Sequence, residues 1–130
     1  MNTKILMTLS AVVMGVAGIV LSFLPQELLG YFNKTTPVQT EVLTVQILGA
    51  LYFAFAMVNW TAKANLIGGI YGRPIAIGNL AHFTIGSLAL LKGYTSINNS
   101  YFLIPTIAYI VFAVCFAVVF FRHPLKENEA

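Results

Sequence analysis

Four long apolar stretches, separated by short connections that carry most of the polar, proline and charged residues, set the pattern of this chain. The first runs from Ile5 to Leu24 without a charge and is closed by Pro25. The second is Val42 to Trp60, preceded by Thr40, which suits a helix N-cap, and Glu41, which suits the first turn. The third follows Gly72-Arg73-Pro74, runs from Ile75 to Leu91 and is closed by Lys92-Gly93. Pro74 fits a first helical turn, where its missing N–H would have had no partner. The fourth spans Phe102 to Phe121, with Pro105 in its first turn, and stops at Arg122-His123-Pro124.

A helix needs about 20 mostly apolar residues to cross a hydrocarbon core of about 30 Å. Only helices and closed barrels satisfy every backbone polar group in lipid, and continuous apolar runs of this length mean helices. The pattern therefore predicts transmembrane helices over about 5–24, 41–60, 74–92 and 102–121. The first run is longer than the apolar part of a signal peptide, and no small-residue cleavage site follows it, so it is expected to stay as a helix. The expected fold is all-α, a single domain over 1–130 forming an antiparallel bundle of four transmembrane helices with short connections.

The connection Pro25-Gln26-Glu27-Leu28-Leu29-Gly30-Tyr31-Phe32 adds a fifth element. Its apolar residues at 28, 29, 31 and 32 predict a short amphipathic helix on the outer surface, with Tyr31 and Phe32 at headgroup level. Within the spans, small residues mark faces where backbones can approach, which in lipid is what holds helices together. These are Ala11, Gly15, Gly18 and Ser22 on the first span and Gly49, Ala50, Ala54 and Ala56 on the second. Gly78, His82 and Gly86 mark the third, and Ala108, Ala113 and Ala117 the fourth.

Composition agrees with this picture. The 130 residues are 58% hydrophobic and only 8% charged, against about 25% charged in soluble domains. The net charge of +3 forms no patch that could follow a phosphate backbone, which argues against a nucleic-acid partner. Lys4, Lys63, Arg73, Arg122 and Lys126 fall on the N-terminus, the second connection and the C-terminus, while only Lys34 and Lys92 fall on the other two connections. That bias predicts both termini in the cytoplasm. Asn33-Lys34-Thr35 and Asn98-Asn99-Ser100 match the glycosylation acceptor pattern on the predicted outer side. The lone cysteine, Cys115, rules out an intrachain disulfide and a CxxC motif.

Polar side chains at mid-membrane depth are the functional candidates. His82 lies near the centre of the third span, with Asn79 one turn away on the same face. Tyr52 and Tyr109 fall at similar depth, so Tyr52, Asn79, His82 and Tyr109 could line a ligand-binding pocket. The same residues could equally act as interhelical hydrogen-bonding glue. A bis-histidine haem lacks its second mid-membrane imidazole, and no carboxylate or thiolate accompanies His82 to hold a metal. No cofactor is expected. All four acids lie at or beyond the span ends, which disfavours proton-coupled transport, and no set of groups suggests a hydrolase. Gln46 and Asn59 are 13 residues apart and point to nearly opposite sides of one helix, against a single-chain pore. In the second connection, Asn59, Trp60, Lys63, Tyr71 and Arg73 read as an interfacial belt or as contacts to a lipid headgroup or partner.

Several segments carry a family resemblance: Phe23-Leu24-Pro25 closing the first span, Glu27-Leu28-Leu29 outside, Ile47-Leu48-Gly49-Ala50-Leu51-Tyr52, and Ile85-Gly86-Ser87-Leu88-Ala89-Leu90-Leu91. Across most of its length the chain resembles the small bacterial four-helix membrane proteins grouped as DoxX-like. That resemblance implies a four-helix bundle in a bacterial inner membrane and, for some relatives, quinone-linked oxidation or association with other membrane subunits. It transfers no catalytic motif. The expectation is a non-catalytic accessory or scaffold subunit, whose partners are membrane lipids and other membrane subunits or a second copy. The alternatives are a binder of a lipophilic small molecule (a quinone or lipid) and a small transporter.

Overall fold

The structure, a computed structural model, describes residues 2–33, 36–64, 72–97 and 100–122. It is all-α, with no strand among the described residues. The helices are α1 (Thr3–Phe23), α2 (Pro25–Asn33), α3 (Gln39–Ala62), α4 (Arg73–Ile97) and α5 (Leu103–Phe121), the last entered through a 3-10 turn at Ser100–Phe102. Four of them, α1, α3, α4 and the segment Ser100–Phe121, are long and apolar enough to cross a membrane. The chain is thus a multi-pass membrane protein of the four-helix kind read from its sequence. It divides into two compact units, Asn2–Lys63 and Ala64–Ala130.

In the first unit, α1 and α3 form an antiparallel hairpin with α2 packed against both. Asn2 caps α1, its side-chain oxygen accepting the Lys4 N–H at 3.1 Å. The helix ends where Leu24 N–H reaches Val20 O, because Pro25 brings no N–H with which to continue it. Pro25 instead occupies the first position of α2, the amphipathic element expected there.

The start of α3 corrects the sequence reading. Thr40 is not the cap; the helix begins at Gln39 behind Val38. Valine has no polar side chain to cap with, so Glu41 does the work from three residues inside. Its carboxylate accepts the Val38 N–H at 3.2 Å, the reach-back half of a capping box. The Thr40 carbonyl is taken up by the Thr44 hydroxyl at 2.8 Å.

The second unit is the hairpin of α4 and α5. Pro74 and Pro105 lie in the first turns of their helices, as expected. Lys92-Gly93 does not close α4, which continues for another turn to Ile97. A helical glycine costs only about 1 kcal/mol against alanine, and no proline follows until Pro105, so nothing forces a stop there. Pro124 and the two glycosylation-pattern stretches around Lys34-Thr35 and Asn98-Asn99 lie outside the described residues.

Candidate functional site

The first hairpin is built on backbone contact. A Cβ placed on Gly18 would lie 2.6 Å from Phe53 N and 2.9 Å from Gly49 O. One placed on Gly49 would lie 2.5 Å from Ser22 Oγ and 2.6 Å from Ser22 N. Only glycine lets the two helices come this near. A Cβ placed on Gly15 would meet Ala56 Cβ at an ordinary 3.6 Å. The expected stripe on α1 is therefore the packed one. On α3 the inward line is Val42, Gly49 and Ala56, seven residues apart, while Ala50 and Ala54 are exposed.

Below this contact, Asn59 is fully buried. Its side-chain amide donates to Ser10 Oγ at 3.1 Å and reaches Met14 Sδ at 3.9 Å. The Ser10 hydroxyl in turn donates to Met7 O at 3.0 Å. Asn59 thus ties α3 to α1, a different task from the headgroup contact read for it in the sequence. Gln46, on the same helix, is exposed, in keeping with its opposite direction. Next to Asn59, Trp60 turns outward and is 45% exposed. The Lys63 ammonium sits over its ring, 2.9 Å from the centroid, a cation–π pair. Tyr52 is half-buried on α3.

The second hairpin brings Asn79, His82 and Tyr109 into one neighbourhood. Asn79 is fully buried and its side-chain amide donates to Ile75 O at 2.9 Å. The Tyr109 hydroxyl lies 3.4 Å from His82 Nε2, and the two rings are tilted with centroids 5.6 Å apart. Gly86 makes room for that phenol: a Cβ there would fall 2.6 Å from Tyr109 Cε1. Behind the pair stands an aromatic wall that sequence reasoning missed. Phe83 is fully buried and meets Tyr109 edge-on at 5.1 Å, Phe112 stacked at 4.8 Å and Phe116 stacked at 5.7 Å. The signal was available in the 109–112–116 spacing, three and then four residues, which lines up one helix face.

Arg73 is exposed in the first turn of α4, and Tyr71 lies outside the described residues. No group of three or more His, Cys, Asp or Glu that could hold a metal occurs among the described residues. No protein-family model matches the chain, and no curated protein or solved structure matches it either.

Proposed function

We propose that this chain is a non-catalytic accessory or scaffold subunit of a bacterial inner membrane, with both termini in the cytoplasm and kinship to the DoxX-like proteins. One observation carries the reading. The buried polar side chains are engaged within their own hairpins: Asn59 bridges to Ser10 and His82 faces Tyr109 across the helices, while Asn79 bonds the Ile75 carbonyl of its own helix. What each hairpin turns outward is large and apolar, from Ile5, Val16 and Phe23 on α1 to Ile104, Val114 and Phe121 on α5. Such faces suit lipid or the spans of other subunits. The orientation rests on Lys4, Lys63, Arg73 and Arg122, which sit at the ends assigned to the cytoplasm.

A second reading has support in the second hairpin. A partly exposed imidazole beside a phenol offers hydrogen-bonding groups to the carbonyl of a quinone. Purification from the native membrane in gentle detergent, followed by mass spectrometry of co-purifying proteins and lipids, separates the two. A stoichiometric membrane subunit supports the scaffold. A bound quinone lost in His82→Ala supports the binder, and a lone protein with no ligand counts against both. Reporter fusions at the two termini and at the connections test the orientation.

A further inference from the structure

The first hairpin holds a feature that the scaffold reading does not use. Asn59 and Ser10 fix the level at which α3 and α1 meet near one end of the hairpin. Lys63 lies four residues beyond Asn59 on α3 and Lys4 six residues beyond Ser10 on the antiparallel α1. At 1.5 Å per helical residue they stand roughly 6 Å and roughly 9 Å past that level, both at the same end. Charge is divided along the hairpin: its two described acids, Glu27 and Glu41, belong to the opposite end, in the first turns of α2 and α3.

The surroundings favour an anion there. Lys4 sits in the first turn of α1, where no acid is present, and because the positive end of α1 and the negative end of α3 oppose one another here, the attraction comes from the two ammonium groups. Lys63 is held in place by the Trp60 ring, which fixes the ammonium while leaving its outward N–H groups directed away from the indole. Trp60 is partly exposed, an amphipathic ring of the type that settles among headgroups. An amphipathic ring with one cation on its face and a second cation at the same end of the hairpin matches a phospholipid, whose acyl chains and glycerol run along the ring while its phosphate meets an ammonium group.

We infer that the Trp60–Lys63–Lys4 end of the first hairpin is a binding site for an anionic phospholipid headgroup. The selectivity comes from the two lysines, each worth about fivefold in favour of an anionic over a zwitterionic lipid. This inference does not rest on the scaffold reading, and in a symmetric bilayer it does not rest on the orientation either.

Trp60 is the sole tryptophan of the chain, so its fluorescence reports on this site alone. The full chain is reconstituted in phosphatidylcholine bilayers containing either dibrominated phosphatidylglycerol or dibrominated phosphatidylcholine at equal mole fraction. Preferential quenching by the anionic lipid is expected, with a relative association constant of roughly 25, a factor of about five from each lysine. Lys63→Gln and Lys4→Gln should each lower that preference about fivefold and the double variant abolish it, while Lys92→Gln on α4 leaves it unchanged. Far-UV circular dichroism verifies that the variants remain helical. Equal quenching by the two lipids overturns the inference, as does a preference that survives the double variant. Loss of the preference in inorganic phosphate, but not in sodium chloride of equal ionic strength, would identify a free-phosphate site and overturn the lipid assignment.

Discussion

The two hairpins solve the same problem with opposite materials. In the first, α1 and α3 touch through glycine backbones, and one buried amide bridges them. In the second, α4 and α5 are joined by rings: Phe83 inserts among Tyr109, Phe112 and Phe116, and Gly86 serves a side chain rather than a backbone. Between helices in lipid the hydrophobic effect contributes nothing, because separated helices bury their side chains in acyl chains just as well. What remains is contact area and hydrogen bonding. Close backbones gain area by thinning the interface, and rings gain it by filling a thick one.

Four substitutions sharpen that contrast, from the largest effect to the smallest. Gly49→Ala should be the most damaging, at about 3 kcal/mol, the upper end for overpacking, because the added methyl meets Ser22 N and Gly18 O, which are backbone. Titration with sodium dodecyl sulfate, followed through Trp60, reads the loss. Phe83→Ala in the second hairpin should cost about 2 kcal/mol, from a void of roughly 80 Å³ at about 24 cal/mol per Å³ with no transfer contribution. Cys115, the lone thiol and half-buried on α5, provides the readout: its maleimide labelling should quicken. An unchanged labelling rate would mean that the aromatic wall does not hold the second hairpin.

Asn59→Leu should cost about 1 kcal/mol, the usual worth of an interhelical hydrogen bond in a membrane. The loss stays small because Ser10 keeps its bond to the Met7 carbonyl. The Trp60-monitored titration measures it, and a loss above that of Gly49→Ala would reverse the ranking of amide and glycine. Gly93→Ala should move the other way, stabilising α4 by about 0.5 kcal/mol. A Cβ there meets nothing within 4 Å, so a destabilisation in thermal melts would show that this glycine has a structural role.

The spans were legible because lipid demands them: a run such as Ile5–Leu24 has no other stable use. The short α2 was legible from its apolar residues at 28, 29, 31 and 32 behind Pro25, and the α1 stripe from its small residues. The inward face of α3 was not. In water that face would be the apolar one, but Leu43, Ile47 and Leu51 on the outside of α3 are more apolar than Gly49 and Ala56 on the inside. Hydrophobicity then carries no direction, and the small residues pointed both ways, to Gly49 and Ala56 but also to Ala50 and Ala54. Asn59 looked interfacial for a related reason. It sits beside Trp60 in sequence, yet successive helical residues are 100° apart, enough to bury one and expose the other. His82 and Tyr109 were legible as partners by depth alone, while Phe83 was hidden among many phenylalanines that all suit lipid equally.

The glycine crossing and the Asn59 bridge lie ten residues apart on α3, about 15 Å along its axis. A single point of contact would let two rods scissor about it or slip lengthwise to the next turn. With two points the swing is arrested, and slippage by one turn, about 5.4 Å, would carry the Asn59 amide away from Ser10 even where the small-residue stripe still accommodates Gly49. The glycine crossing sets how near the two rods lie and the amide bridge sets their alignment, so that closeness and register are fixed at separate places on one seam.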